Sequence, residues 1–125
     1  MKLRIQANSI RFRITPTELN ALATRGAVES SVQFGTTADE RFTYALESSA
    51  QCSSVCVKYT DRALRVILPT SEVREWASTE QVGIEGVQTA GSNSNLRILI
   101  EKDFKCLQPR PDESEVDRFP NPADN

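Results

Sequence analysis

The sequence contains no histidine, one tryptophan, one methionine, five glycines and three cysteines in 125 residues. Without histidine, the usual Ser–His and Cys–His routes to an activated nucleophile are closed. The cysteines do not replace them with a metal site. Cys52-x-x-x-Cys56 and the distant Cys106 lack a fourth Cys or His ligand, so they read as unpaired reduced thiols. No glycine-rich phosphate loop of P-loop or dinucleotide type occurs. No apolar run approaches the length needed to span a bilayer. The first residues, MKLRIQANSIRFRIT, alternate charged and apolar side chains, which is not the pattern of a signal peptide. An odd number of cysteines without an export signal fits a reducing compartment, and the cytoplasm is the expected location.

What is present is the composition of one globular domain, with 38% hydrophobic and 26% charged residues. The formal net charge is −2, which gives no overall attraction to nucleic acid or an anionic membrane. The charge is unevenly placed. From Gln108 onward, five acids (Asp112, Glu113, Glu115, Asp117, Asp124) stand against Arg110 and Arg118, leaving the body at +1. The domain is expected over residues 1–107. Residues 108–125 form an acidic, proline-containing tail for which disorder is expected.

Strand and helix signals recur in a fixed order. Leu3–Gln6 and Ile10–Ile14 alternate apolar and polar residues around a turn-like Ala7-Asn8-Ser9, which predicts a hairpin. Thr15-Pro16-Thr17-Glu18 has the spacing of a helix N-terminus with a capping box. Leu19, Leu22 and Ala23 follow as an apolar stripe, and Gly26 marks the stop. Strands are predicted at Val28–Phe34 and Arg41–Glu47. Ser54–Thr60 and Leu64–Leu68 then flank Asp61-Arg62. A helix opens at Pro69-Thr70-Ser71-Glu72 with the stripe Val73, Trp76 and Ala77, and strands at Gln81–Val87 and Asn95–Glu101 close the body.

A constant offset of 54 residues superposes the two halves, 1–48 on 55–102. It places Leu19, Leu22 and Ala23 on Val73, Trp76 and Ala77, Arg11 on Arg65, Val28 on Val82 and Glu47 on Glu101. Only five identities result, against about three expected from composition, so the recurring order of elements carries the duplication. The expected fold is α+β: a mainly antiparallel sheet of about eight strands, twisted or barrel-like, with two helices and an internal ββαββ duplication.

If the apolar strand positions face the helices, period-two alternation sends Lys2, Arg4, Arg11, Arg13, Arg41, Lys58, Arg65 and Arg97 to the opposite face. Glu29, Glu47, Glu85 and Glu101 join them, for a local excess of +4. Three functions are open to such a face. It can be merely solvated, on a structural or interaction protein. It can bind an anionic small molecule or protein partner through Arg4, Arg11, Arg13, Arg41, Lys58, Arg65 and Arg97, since the guanidinium fork suits phosphate and carboxylate. In a closed sheet, Glu47, Glu85 or Glu101 can hold magnesium beside a phosphate, as in a metal-assisted phosphohydrolase. The aromatic residues Phe12, Phe42, Tyr44 and Tyr59 fall in the apolar register, which disfavours base stacking and hence nucleic acid. The acidic tail either stays solvated or lies across a basic face and screens it.

Eight strands, two similar halves and a charged inner face resemble the triphosphate tunnel proteins, which implies polyphosphate bound in a barrel with glutamate-held magnesium. The alternating Glu-x-Glu-x-Lys strand of that superfamily is missing. The nearest text, Ile100-Glu101-Lys102-Asp103-Phe104-Lys105, sits at the wrong end with the wrong spacing. A closer resemblance rests on Asn8–Arg13, Phe42–Glu47, Gln81–Glu85 and Ile100–Leu107. These stretches look like an uncharacterised family of short bacterial proteins, a resemblance that implies a bacterial source and no particular activity.

Overall fold

Alternating side chains make strands only when one face finds a core, and here two sheets supply it to each other. The computed structural model describes residues 1–104; the acidic tail and Cys106 lie outside the described residues. The order is β1 (Lys2–Gln6), β2 (Ser9–Ile14), α1 (Pro16–Arg25), β3 (Ala27–Gln33), β4 (Arg41–Ser49), β5 (Cys56–Thr60), β6 (Ala63–Pro69), α2 (Thr70–Ser78), β7 (Gly83–Thr89) and β8 (Asn95–Lys102). Among the described residues, eight strands and two helices of an α+β fold are thus present. The strands divide into two four-stranded sheets, β1-β2-β8-β7 and β3-β4-β6-β5, and do not close into a barrel.

Each sheet joins one hairpin from each half. The hairpins are antiparallel, and they meet along a parallel pair, β2 with β8 and β4 with β6. The 54-residue offset carries one parallel register onto the other: Ser9 opposite Arg97 becomes Ala63 opposite Thr43. It also carries β1 onto β5 and the start of α1 onto the start of α2. The relation slips by two residues at β7. Ala27 lies opposite Glu47, whereas Gly83, not Gln81, lies opposite Glu101, so Ile84 rather than Val82 is the counterpart of Val28. An even slip keeps every side chain on its own face, which is why the core tolerates it.

The helix ends follow from local chemistry. Glu18 N–H donates to Thr15 Oγ1 at 3.2 Å, and Thr15 N–H donates back to Glu18 Oε1 at 2.9 Å. Gly26 ends α1 with φ +88°, a left-handed conformation that a Cβ would strain. α2 starts at Pro69 with no side-chain cap. Both helices lie against the core, burying Leu19 and Leu22 from α1 and Val73 and Trp76 from α2. The core continues through Ile10, Phe12 and Ile14, Leu46, Leu64, Val66 and Leu68, and Ile84, Ile98 and Ile100. Phe12 and Tyr44, from different sheets, bring their rings to 6.4 Å. Among the described residues, no helix is long and apolar enough to cross a membrane.

Candidate basic groove

Because the strands form two sheets, the charged residues expected on one face occupy two outer faces. Lys2, Arg4, Arg11, Arg13, Arg97, Glu85 and Glu101 belong to the first sheet. Arg41, Lys58, Arg65, Glu29 and Glu47 belong to the second. Arg11 therefore does not meet Arg65, nor does Glu47 meet Glu101, as a closed sheet would have required. The first face has an excess of +3 and the second of +1.

The two faces share a plan from which the first departs. Across the first sheet run Arg4, Arg11, Leu99 and Glu85, each opposite the next. The equivalent row of the second is Lys58, Arg65, Ala45 and Glu29. Both rows place two cations side by side. In the neighbouring rows, however, Arg13 corresponds to Ile67, Lys2 to Cys56 and Arg97 to Thr43. Arg41 of the second sheet corresponds in turn to Asn95, so the first sheet carries two more cations than the second.

On this face lies a groove of about 670 Å³, lined by Arg4, Arg11, Arg97, Glu85, Gln6 and Ser9 with apolar Val87 and Leu99. A smaller depression of about 140 Å³ continues it past Lys2 and Arg13. Arg11 and Arg13 are held by one carboxylate: their Nε atoms donate to Glu101 Oε1 at 2.6 and 2.8 Å. Burial pushes the Glu101 carboxyl up, but hydrogen bonds and charge from the two arginines more than offset this and hold it below the usual value. Gly83, opposite Glu101, lets β7 approach β8 closely, since a Cβ there would stand 2.4 Å from the Ile100 carbonyl. Arg4 has no such partner. Among the described residues, neither Arg4 nor Arg97 has a carboxylate within ion-pair distance. Arg4 also stands directly opposite Arg11, a like-charge pairing that costs stability unless an anion relieves it.

The remaining candidates are dispersed. Arg65 approaches Glu47 at 3.4 Å on the exposed second sheet, and Arg41 donates to Ser31 Oγ at 2.8 Å. Glu47, Glu85 and Glu101 do not converge, because Glu47 is on the other sheet and Glu101 is engaged by two arginines. Among the described residues, no three His, Cys, Asp or Glu side chains are grouped to hold a metal ion. Cys52 and Cys56 are free thiols, and Cys52 Sγ donates to the Ser54 carbonyl at 2.8 Å. Sequence reasoning missed Gln6, Ser9 and Leu99 as groove residues. Alternation places all three on the charged face, but neither charge nor aromaticity singled them out.

Residues 1–123 match DUF7009, a family of unknown function. The chain belongs to this family. The DUF7009 match includes residues 108–123 of the acidic tail. No curated protein and no solved structure matches the chain.

Proposed function

We propose that this DUF7009 protein is a non-catalytic binding module whose first sheet takes an anionic ligand or partner through Arg4, Arg11 and Arg97. The observation that carries the reading is a groove in which Arg4 and Arg97 have no carboxylate partner among the described residues, on the sheet that carries more cations than its twin. Arg4 and Arg97 offer planar donor forks suited to phosphate or carboxylate. Glu101 holds Arg11 in place while taking up only part of its donor capacity. Gln6 and Ser9 add neutral hydrogen-bonding groups, and Leu99 and Val87 offer apolar contact to whatever carries the anion. The free thiols Cys52 and Cys56 fit a reducing, cytoplasmic setting. Among the described residues, no grouping of carboxylates favours the metal-assisted phosphohydrolase.

Calorimetric titration with inorganic tripolyphosphate tests the reading. Binding is expected to weaken about threefold to tenfold in Arg4→Gln and in Arg97→Gln, each of which removes a charge-assisted contact partly screened by solvent. Arg41→Gln, on the other sheet, is expected to leave it unchanged. Equal affinity in all four proteins would remove the groove as the site.

A further inference from the structure

Two four-stranded sheets have four edge strands, and three of these are guarded. β5 and β7 face each other across Gln88, whose amide engages both backbone groups of Val57. β1 carries Lys2 and Arg4, charges that oppose pairing with another strand. β3 has neither defence. Its sequence Ala-Val-Glu-Ser-Ser-Val-Gln contains no lysine, arginine or proline, and its register against β4 runs without a bulge. Such an edge is a template for a further strand. At its far end Val32 and Phe34 stay 38% and 73% exposed.

Hydrogen bonds at both ends of β3 fix which backbone groups point outward. Ser48 N–H donates to the Gly26 carbonyl at 2.8 Å, and Phe34 N–H donates to the Glu40 carbonyl at 2.7 Å. Even-numbered residues thus bond β4, and alternation turns the N–H and C=O of Ala27, Glu29, Ser31 and Gln33 away from the sheet. A second β3, antiparallel about a two-fold axis, meets these groups only where odd-numbered residues face odd-numbered ones. An axis at Ser30 satisfies this condition. It sets Glu29 opposite Ser31 of the second copy, and Val28 opposite Val32 of the second copy.

Both faces then match. On the core side Val28 pairs with Leu46 and Val32 with Phe42, so the apolar row Leu46–Val28 continues into Val32 and Phe42 of the second copy. On the outer side Glu29 has no cation within ion-pair distance among the described residues. Arg41 donates to Ser31 Oγ at 2.8 Å, so Glu29 gains the Arg41 of the second copy on meeting its Ser31. Phe34 comes to Gly26 of the second copy, where nothing stands within 4 Å of the place of a Cβ. The two-fold axis makes each of these matches twice.

We propose that β3 is a homodimerisation edge, pairing antiparallel with β3 of a second copy about an axis at Ser30 and joining two four-stranded sheets into one of eight strands. The basic groove lies on the other sheet, so this association does not depend on anion binding.

Sedimentation equilibrium of the full chain tests the proposal at about 100 μM, enough to populate a dimer of micromolar dissociation constant. The unmodified chain is expected to be dimeric. Ser31→Pro removes an outward N–H that β4 does not use, so it should keep the folded Trp76 fluorescence and sediment as a monomer. Should that variant not fold, the charge variants decide. Glu29→Arg is expected to weaken dimerisation about tenfold through repulsion from Arg41, and Glu29→Arg/Arg41→Glu to restore it. Ser30→Cys checks the register: directly opposed residues of a non-hydrogen-bonded pair have Cα atoms about 4.5 Å apart, within disulfide reach. Oxidation should therefore link two chains at position 30, as read by peptide mass. A monomeric unmodified chain overturns the proposal. So does a dimer that persists in folded Ser31→Pro or is indifferent to both charge variants.

Discussion

Arg11 on β2 donates to Glu101 on β8 at 2.6 Å, and its repeat counterpart Arg65 reaches Glu47 at 3.4 Å. Each pair joins the first half to the second, in opposite senses. Two of the five identities between the halves are therefore the two ends of one reciprocal ion pair, written twice. The copies differ in burial. Glu101 retains 13% of its side-chain exposure, whereas Arg65 and Glu47 retain 44% and 38%.

That difference predicts unequal energies for equivalent substitutions. Glu101→Gln should lower unfolding stability by about 1–3 kcal/mol, since it removes the negative charge that Arg11 and Arg13 share and leaves only a neutral acceptor. Glu47→Gln should cost under about 0.5 kcal/mol, as exposed pairs usually do. Urea unfolding followed through Trp76 provides both values. Equal losses would mean that burial does not set the strength of these pairs.

Acid sensitivity follows from Glu101 and Glu18. Burial pushes the Glu18 carboxyl up as well, but the N-terminal ammonium and Thr15 overcome it and hold it below the ordinary 4.5. A carboxyl lowered in the folded state stabilises it above the unfolded value, and the contribution is lost as pH falls through the folded value. The unfolding midpoint should therefore fall as pH drops below about 4.5, less steeply in Glu101→Gln. An acid limb of the same slope in the variant would rule out Glu101 as a contributor.

Gln88 joins the two sheets where β7 approaches β5. Its side-chain Oε1 accepts from Val57 N–H at 2.6 Å and its Nε2 donates to the Val57 carbonyl at 3.0 Å, as a neighbouring strand would. The equivalent position of the other half is Val32. Gln88→Ala should cost about 1–2 kcal/mol and speed exchange of the Val57 amide more than that of Tyr59. If Val57 exchange stays unchanged, the amide clamp is not what protects that edge.

The turn between β5 and β6 contains two non-glycine residues at positive φ, Asp61 at 50° and Arg62 at 61°. This left-handed pair suits a two-residue hairpin but favours glycine at its second position. Arg62→Gly should raise the unfolding free energy by about 0.5–1 kcal/mol despite glycine's greater freedom when unfolded. A thermal melt checks the sign, and a lower midpoint would mean that the arginine side chain stabilises the turn.

Trp76 buries its ring completely and donates from Nε1 to the Val82 carbonyl at 3.2 Å. Val82 belongs to the segment where the repeat slips by two residues, so the indole anchors the irregular connection before β7. Trp76→Phe should cost about 2–3 kcal/mol, chiefly through lost volume, because the Val82 carbonyl keeps the Lys102 N–H as a donor at 2.9 Å. Near-ultraviolet circular dichroism of the tyrosines can follow its unfolding in place of the lost indole signal. A cost below about 0.5 kcal/mol would show that the core closes over the space of the lost indole.

Local patterns in the sequence determined the elements and their facing. Thr15, Pro16 and Glu18 specify the start of α1 because all three act within one turn, and alternation assigns Arg4, Arg11 and Glu101 to the face away from the core. The 54-residue offset exposed the two halves. Pairing between strands was decided only by the tertiary structure. Period two states which side of a strand is apolar but not which strand lies beside it, and exchanging hairpins between halves leaves every local signal unchanged. That exchange divided one expected charged face into two, separated Glu47 from Glu101, and brought Arg11 to a carboxylate 90 residues away.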